Sequence, residues 1–540
     1  MDYSQCSLAY SDISQTLTKQ LPKTVKQSNG IYFTPPECVI TNIKLLEPYL
    51  SLQQYNTILE PSCGSCEYIT TLNKLYPGKY KIHGIEFNDV IFQAIQHIAN
   101  DNTQLYNMDY LTYKPTIKYD LIIGNPPYYV LKKSQVNTYY YKYFTGRPNI
   151  FILFIIKSLE LLNDNGILSF VLPKNFLNCL YYNNTRQHIN DNFKILNIVE
   201  CSNDNNKYIE TEQDTIILII QKQINTLPGS INNKIHNSQY ILYTNNMITD
   251  TTAITALTDT TAITDTTAIT DTTAITAITD TTAITDTTAI TAITDNNDII
   301  ELPNSSNIYC IFTTHINNIK IKDLYKNSKS LAMLGFKVSV GTVVWNQCKT
   351  ILTDDSNATR LIYSSDIINN KLSIKKYSNI TKKNYINKPG LTKPIIVINR
   401  GYGVGQYKLD FCLININSNV NENSNLSQNP QNTQNPQNTI TQYLIENHLI
   451  CIEYTGLGLG LGLGLGLNTQ SSTQAHNNDN DNHNDNDNYN DNNLLQIYNK
   501  IILSLQDART LSFINLYFGN NAINTTELLH ILPIYQDINV

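Results

Sequence analysis

The chain has 540 residues, 38 basic and 44 acidic, for a formal net charge of −6. This length allows two or more domains, each with a sizeable core. Two low-complexity stretches, about 250–298 and 479–491, hold 13 aspartates and no basic residue, so the rest of the chain has 38 basic against 31 acidic residues. The net charge therefore does not exclude a polyanion-binding protein, since the remainder is mildly basic.

The cysteines and the apolar runs exclude several other classes. Of ten cysteines only Cys63 and Cys66 form a Cys-x-x-Cys pair, and no second pair stands at zinc-site spacing, so we predict free thiols and no metal. The start of the chain lacks signal-peptide features, and the densest apolar run, 150–156, is far too short for a membrane span. We expect a soluble, intracellular and monomeric protein that does not associate with a membrane.

The chain starts with a polar segment, residues 1–28, for which we predict disorder. Residues 29–37 follow and lead into a stretch with apolar residues at helical spacing. We predict that a helix starts there, with Thr34 as N-cap, Pro35 in the first turn and Glu37 at the capping-box position.

Residues 57–69 predict a strand, a tight loop and the start of a helix. The loop contains Glu60, Pro61, Cys63 and Gly64. Backbone amides at such a helix start bind anionic groups such as a carboxylate. A redox role for the cysteine pair is the alternative interpretation of this loop.

Two later strands end in acidic residues. Glu86 closes the apolar segment 81–86, about twenty residues after the loop, where doubly wound folds place a carboxylate for ribose hydroxyls. Asp109 follows a third strand-like segment and could accept a hydrogen bond from an adenine amine. Each acid alone could be an ordinary solvated strand end, but their series at strand and helix intervals favours a binding site.

The strongest functional signal is the sequence Asn125-Pro126-Pro127-Tyr128. It directly follows the buried strand pattern 120–124, so it lies at a strand's carboxyl end, where open α/β sheets bind ligands. The two prolines fix the loop and remove two N–H donors, while Asn125 supplies an oxygen acceptor and Tyr128 a flat ring. This combination suits the binding of the amino group of a planar amine.

This stretch resembles the Asn-Pro-Pro-Tyr motif of S-adenosylmethionine-dependent amino-methyltransferases, especially adenine-N6 DNA methyltransferases. The resemblance implies an α/β, Rossmann-like, seven-stranded class I methyltransferase domain with a C-terminal target-recognition domain and low-complexity insertions. It also implies that S-adenosylmethionine binds to the following residues: Thr34, Glu60, Pro61, Cys63, Gly64, Glu86, Asp109 and Asn125. Cys66 departs from the family loop, because a glycine usually stands there, and this departure puts close backbone approach in doubt.

The resemblance further implies how the target base is held. Adenine N6 would donate hydrogen bonds to the Asn125 side-chain oxygen and the Pro126 carbonyl, in a loop stiffened by Pro127. Tyr128 would stack on one face of a base flipped out of the duplex. Tyr208, an aromatic residue several positions before the last strand, is the candidate for the other face, and an ordinary surface tyrosine is the alternative.

The composition of the remaining chain indicates how the domains are arranged along the sequence. We place the catalytic domain at 29–240, a Thr/Asp/Ala/Ile insertion at 241–300, and a target-recognition domain at 301–540 with low-complexity interruptions at 418–440 and 455–493. In this last domain Trp345 and Arg400, among lysines and tyrosines, are the candidate DNA contacts. A solvated face of a β-rich domain is the alternative.

The order of the motifs resembles the gamma group of DNA amino-methyltransferases of type II restriction-modification systems. The expected partners are double-stranded DNA and a separate cognate restriction endonuclease, because only about thirty residues precede the first motif and leave no room there for a fused nuclease. Four alternatives stay open: a cytosine-N4 DNA, an rRNA or a protein-glutamine methyltransferase, or an inactive DNA-binding relative.

Overall fold

The apolar runs of the first half of the chain lie side by side as strands of one sheet. A computed structural model describes residues 3–52, 55–201, 214–223, 241–244, 299–301, 308–313, 315–373, 375, 377, 379, 381–401, 407–416, 440–456, 484–518 and 522–535. The chain divides into two units: a first unit of residues 1–300 with 309–318, and a second unit of 301–308 with 319–540.

The first unit alternates strands with helices. Its helices are α1 Asp12–Gln20, α2 Lys23–Asn29, α3 Pro36–Leu52, α4 Glu67–Leu75, α5 Asp89–Ile95, α6 Ile150–Leu161 and α7 Asn183–Asn192. Its main strands are β1 Thr57–Glu60, β2 Lys81–Glu86, β3 Thr103–Asn107, β4 Tyr119–Gly124, β5 Leu162–Pro173, β6 Lys194–Cys201, β7 Thr215–Gln221 and β8 Ile241–Thr244. Two short strands and a helix follow: β9 Ile299–Glu301, β10 Ile308–Cys310 and α8 His315–Leu324.

The large sheet has the strand order β3-β2-β1-β4-β5-β7-β6-β8. Strands β1 to β5 pair in parallel, and β7 pairs antiparallel to both β5 and β6. The chain reverses its direction across the sheet between β1 and β4, which creates the crevice at the strands' carboxyl ends. The predicted Rossmann-like α/β fold is thus confirmed.

Side chains of the central strand β4 are buried on both faces of the sheet, as its continuous apolar pattern predicted. Ile122 packs in a core with α6, whereas Leu121 and Ile123 pack in a second core with α3 and α4. Burial on both sides explains why this strand has β-branched and leucine residues without alternation. It also fixes the register that delivers residue 125 to the edge of the sheet.

The prediction of a disordered N-terminus is wrong for residues 3–28. Helix α1 is amphipathic and contains the buried Leu17, and Leu21 is the residue that ends it. Both leucines pack with Phe33 and Ile91 in a small core. The Ser14 hydroxyl hydrogen-bonds the Ser65 hydroxyl at 2.7 Å. The polar composition concealed an apolar stripe at helical spacing, which is enough to dock a short helix.

Three predicted boundaries also differ from the structure. Helix α3 begins at Pro36, and the Pro35 carbonyl accepts from Val39 N–H at 3.1 Å, so the helix starts one position after the predicted first turn. Strand β8 pairs in parallel with β6, although residues 241–300 were assigned to the insertion. Residues 309–318 belong to the first unit, where Phe312 N–H donates to the Leu177 carbonyl at 2.9 Å.

The second unit consists mainly of short strands. These are β11 Ser328–Lys329, β12 Phe336–Val340, β13 Leu352–Thr353, β14 Thr359–Ile362, β15 Ile367–Ile368, β16 Lys371–Leu372, β17 Tyr385–Ile386, β18 Ile395–Asn399, β19 Phe411–Ile414, β20 Tyr443–Ile445, β21 Leu449–Tyr454 and β22 Ile534–Tyr535. Its helices are α9 Asn484–Gln506, α10 Ala508–Tyr517 and α11 Thr525–His530. Two four-stranded sheets, β12-β21-β18-β19 and β13-β17-β14-β20, form its centre.

Helix α9 begins at residue 484, inside the stretch 455–493 that was predicted to interrupt the domain, so the end of that stretch is helical. Most of the other predicted insertion residues lie outside the described part of the chain. None of the described helices combines the length and the apolar character that a membrane crossing requires.

Candidate active site

A cavity of about 530 Å³ opens at the carboxyl ends of β1, β2 and β4. Its lining comes from residues 29–33, from the loop after β1 (Pro61, Ser62, Gly64), from residues 86–88 and Ile91, from residues 108–111, from Asn125, Pro127 and Tyr129, and from several residues between 131 and 160. The volume lies in the range of about 300–1,000 Å³ that is typical of small-molecule sites. Five residues predicted to bind a cofactor, Pro61, Gly64, Glu86, Asp109 and Asn125, therefore line one cavity.

The loop after β1 is joined to the end of β2 through Glu86. One carboxylate oxygen of Glu86 accepts from Gly64 N–H at 3.0 Å, and the other accepts from Asn88 N–H at 2.7 Å. The side chain is 7% exposed, and this burial raises the pKa of Glu86 to about 7. The carboxylate is thus fixed by backbone donors at the cavity wall, with lone pairs left for a ligand.

Glu60 provides a second buried carboxyl group beside this loop. Its Oε2 atom has no hydrogen-bond partner among the described residues, and the side chain is 3% exposed. Burial raises the pKa of Glu60 well above its ordinary value, and the neighbouring acidic groups of Cys66 and Glu67 raise it further. A raised pKa favours the neutral carboxyl, and Glu60 is not among the residues that line the cavity, so it is a buried neighbour of this loop.

Cys66, the departure from the family loop, has the backbone conformation of a glycine. Its φ of 62° and ψ of 33° are left-handed, and α4 begins at the next residue. Its N–H donates to the Cys63 carbonyl at 2.7 Å, and both side chains are buried. The loop therefore keeps the turn that a glycine would make, at the cost of strain on a residue with a Cβ.

The segment after β3 supplies Asp109, which lines the cavity and caps a short 3-10 helix by accepting from Leu111 N–H at 2.8 Å.

Phe87 lines the same cavity and is 68% exposed. Sequence analysis missed Phe87, although an apolar residue directly after a strand-end acid is a detectable signal. Its exposed ring provides a face on which a flat ligand can stack.

Two side chains of the tip after β4, Asn125 and Tyr128, are hydrogen-bonded to each other. The Tyr128 hydroxyl lies 2.5 Å from Asn125 Oδ1 and 2.8 Å from the Val171 carbonyl. Burial raises the pKa of Tyr128, so the hydroxyl stays protonated, and its single proton is shared between these two acceptors. The Tyr128 ring meets Phe151 edge-on at 5.9 Å between centroids. Asn125 and Pro127 line the cavity, whereas Pro126 is buried and neither it nor Tyr128 is part of the lining.

The backbone around the tip is tightly packed against the N-terminal segment. The Ser62 hydroxyl donates to the Asn125 carbonyl at 3.0 Å, and Asn125 Nδ2 donates to the Tyr32 carbonyl at 3.3 Å. Gly30 has a φ of +62°, and a Cβ there would stand 2.6 Å from Tyr128 N. A glycine is required at this position because the two backbones approach within contact distance.

The other predicted site residues lie away from the cavity lining. Thr34, Glu60 and Cys63 are buried, 7%, 3% and 4% exposed, close in sequence to residues that line it. Tyr208 lies outside the described residues. In the second unit, the Trp345 ring has the ammonium groups of Lys349 and Lys382 each 5.7 Å from its centroid.

Arg400 directly follows β18 in the second unit. Its carbonyl accepts from Ile523 N–H at 3.0 Å, and its N–H donates to the His448 carbonyl at 3.4 Å. These backbone bonds fix the position from which the guanidinium extends.

Residues 31–208 match the family model of the Eco57I restriction-modification methylase. This segment is therefore similar to methylases of the restriction-modification type. The modification methylase CviBIII of Paramecium bursaria Chlorella virus NC1A is 32% identical over 182 residues, which cover 33% of this chain and 47% of that protein. The type II methyltransferase M.CvrRI of Paramecium bursaria Chlorella virus XZ-6E is 29% identical over 224 residues, 40% of this chain and 54% of that protein.

The chain thus spans about half the length of the curated relatives it matches. Among solved structures, the M protein of the type I restriction enzyme EcoKI has 19% identity and a TM-score of 0.30, with 39% of this chain and 48% of that chain covered. The fold assignment rests on the strand order of the methylase domain, not on this likeness.

These comparisons confirm the resemblance to type II restriction-modification methyltransferases, whose cofactor is S-adenosylmethionine. The cavity of the methylase domain fits that cofactor. The fixed Glu86 carboxylate suits ribose hydroxyls, and the exposed Phe87 ring suits the adenine.

Proposed function

We propose that the chain is a site-specific DNA methyltransferase that transfers the methyl group of S-adenosylmethionine to N6 of an adenine flipped out of the duplex. The observation that carries this proposal is that Asn125 and Pro127 line the same cavity as Glu86 and Asp109. An acceptor for an amine, Asn125 Oδ1, and the proposed ligands of the methyl donor therefore meet in one place.

In this proposal the cofactor half of the site is built by the loops after β1, β2 and β3. Glu86 accepts from the ribose hydroxyls, and Asp109 accepts from the cofactor's adenine amine beside Phe87. Glu60 and the loop through Pro61, Cys63 and Gly64 hold the methionine part, with Thr34 in support. Bound S-adenosylmethionine supplies a methyl group on a positively charged sulfur.

The target half is the tip after β4. Asn125 Oδ1 and the Pro126 carbonyl accept hydrogen bonds from N6 of the target adenine, which localises the nitrogen lone pair as positive charge develops on the amine. Acceptors that are already oriented stabilise this charge without reorganisation. Because the base must leave the duplex at a cost of a few kcal/mol, stacking on Tyr128, and on Tyr208 from the other side, offsets part of that cost.

The hydrogen bond from Tyr128 to Asn125 adds a requirement to this mechanism. The Tyr128 hydroxyl, 2.5 Å away, occupies one of the two lone pairs of Asn125 Oδ1, and the Tyr128 ring does not line the cavity. Stacking of the base on Tyr128 therefore requires a rotation of this side chain, which also leaves both lone pairs of Asn125 Oδ1 to the target amine.

The second unit would read the DNA sequence. Trp345 beside two lysines, and Arg400 after β18, are the residues we assign to this contact. An arginine paired with a guanine edge discriminates by about 1–3 kcal/mol. The proposed partners are double-stranded DNA and a separate cognate restriction endonuclease, with the methyltransferase acting as a monomer.

A methyl-transfer assay with product identification tests this function. The full chain is incubated with methyl-labelled S-adenosylmethionine and, separately, unmethylated phage DNA, rRNA and a cell protein fraction, and the labelled product is hydrolysed and analysed. We expect label in N6-methyldeoxyadenosine from DNA only, and none with Asn125→Ala. Label in N4-methylcytosine, RNA or glutamine would contradict the proposal in favour of that alternative, and cofactor binding without any transfer would indicate an inactive relative.

A further inference from the structure

The segment directly after the catalytic tip, residues 129–149, is strongly basic. It contains Lys132, Lys133, Lys142 and Arg147 and no acidic residue, and all four basic residues are exposed. We call this segment the basic loop. In a protein of net charge −6, such a run marks a surface suited to an anion-rich partner.

The basic loop is fixed at both ends and along its length. Its ends pair with each other, since Leu131 N–H donates to the Pro148 carbonyl at 2.8 Å and Ile150 N–H to the Tyr129 carbonyl at 2.9 Å. In its middle, the Thr185 hydroxyl donates to the Tyr143 carbonyl at 2.6 Å. Its charges are therefore presented by an ordered surface, which lowers the entropy cost of binding.

Tyrosine rings hold two of the lysines in place. The Lys133 ammonium lies 4.6 Å from the Tyr141 ring centroid, and the Lys142 ammonium lies 5.0 Å and 4.9 Å from the rings of Tyr139 and Tyr143. Such cation–π contacts orient an ammonium without neutralising its charge. The acid beside the loop, Glu160 on α6, accepts a hydrogen bond from the Tyr139 hydroxyl.

The inner side of the same loop lines the candidate active-site cavity. Tyr129, Leu131, Val136 and Tyr140 all contribute to the lining that contains Asn125. A base that enters the cavity brings its own sugar and phosphates to the cavity mouth, and the exposed lysines and arginine belong to the same loop. The loop thus combines cavity-lining aromatic residues with exposed positive charges, the combination found in single-strand grooves.

We propose that the basic loop binds the phosphate backbone of the DNA strand that carries the target base. This deepens and rests on the proposed function, because it assigns to the first unit a DNA contact of its own. The contact is independent of sequence, since phosphates carry no base information. It positions the strand while sequence is read elsewhere.

The test compares DNA binding by the full chain at several salt concentrations. The variant Lys132→Gln/Lys133→Gln/Lys142→Gln/Arg147→Gln removes four charges from the loop. We expect its affinity for unmethylated duplex DNA to fall at least tenfold, and the slope of log K against log salt to become shallower by about 0.9 per lost phosphate contact, up to about 3.6. S-adenosylmethionine binding should not change.

The control carries the same charge change at the opposite edge of the sheet, where Lys74→Gln/Lys81→Gln/Lys118→Gln/Lys194→Gln replaces four exposed lysines. It should keep both the affinity and the slope of the wild type. An unchanged affinity and slope in the loop variant, equal losses in the control, or a loop-dependent preference for RNA over DNA would overturn the proposal. If the loop governs DNA binding but no methyl transfer to DNA occurs, the proposed function fails while this contact stands.

Discussion

The two halves of the candidate active site are built differently. In the cofactor half, the Glu86 carboxylate is held by two backbone N–H groups, and the cavity beside it is open. In the target half, the acceptor Asn125 is engaged by a side chain, the hydroxyl of Tyr128. One half is organised by backbone geometry and is ready for a ligand, and the other is closed by a rotatable side chain.

This difference indicates an order of events. A site fixed by backbone donors binds its ligand without reorganisation, whereas a site closed by a rotatable side chain requires a ligand with a differential affinity for the open state. We infer that cofactor binding does not depend on DNA, while the target half opens only when a base competes for Asn125. The following experiments test this contrast, from the largest expected effect to the smallest.

Asn125→Ala should separate the two halves most sharply. Loss of one preorganised acceptor lowers the rate about 10²–10³-fold, so methyl transfer should fall by at least that factor. Cofactor affinity should stay within about tenfold, because Glu60, Glu86 and the loop after β1 are unchanged. Gln135→Ala, at another exposed position in the cavity lining, is the control. Transfer at the wild-type rate by Asn125→Ala would remove the mechanism.

A pair of substitutions at Tyr128 tests the closed state. Tyr128→Phe keeps the ring and frees Asn125, so transfer should match or exceed the wild-type rate. Tyr128→Ala removes stacking worth about 1–3 kcal/mol and should lower kcat/KM about 5- to 150-fold. The comparison is made in single-turnover assays on DNA. If the phenylalanine variant is as slow as the alanine variant, the hydroxyl has a catalytic role that the account does not contain.

Substitutions in the second unit should leave the cofactor half untouched. Arg400→Ala should reduce discrimination at one base position by about 1–3 kcal/mol if it contacts a guanine edge, whereas a phosphate contact would weaken all sequences alike. Trp345→Ala should weaken DNA binding. Both are measured on single-base variants of the methylated site. If either variant loses cofactor binding with sequence preference intact, the assignment of this unit to sequence reading is wrong.

The pH dependence of cofactor affinity tests Glu86. Its pKa is raised by burial to about 7, and only the ionised carboxylate accepts fully from ribose hydroxyls. Affinity should therefore rise with pH through 7, by about tenfold from pH 6 to pH 8, and fall again on acidification. Glu86→Gln should bind more weakly and without this dependence. An unchanged pH profile in that variant would place the titrating group elsewhere.

Cys66→Gly should have the smallest effect. Relief of a left-handed φ of 62° gains about 1 kcal/mol, and the loss of a buried thiol costs about the same. We expect the free energy of unfolding to change by less than about 1 kcal/mol, measured by urea denaturation, with cofactor affinity equal or slightly higher. A large drop in stability would show that Cys66 packing dominates the loop.

Backbone-determined features were the ones that sequence analysis could predict. The strand run before Asn125, and the acids that close β1 and β2, follow from local apolar patterns, and the parallel sheet then brings them to one edge. The turn at Cys66 could not be predicted from the residue type, because the loop keeps the left-handed conformation typical of glycine although a cysteine stands there.

Features that depend on long-range packing could not be predicted. The N-terminal helix α1 depends on contacts with Phe33 and Ile91, which lie far along the chain. The engagement of Asn125 by Tyr128 depends on side-chain rotamers, on which a sequence motif carries no information. Phe87 has a local signal, its place directly after a strand-end acid, but no periodic pattern that would reveal the exposure of its ring.

A calorimetric titration of S-adenosylmethionine into the free protein tests the contrast between the halves most directly. It is carried out without DNA on the wild type, Asn125→Ala, Tyr128→Phe and Glu86→Ala. We expect one site per chain in the first three proteins with similar affinity, and a strong loss in Glu86→Ala. Binding that appears only when DNA is added, or that disappears with Asn125→Ala, would contradict a cofactor half that is formed independently of the target half.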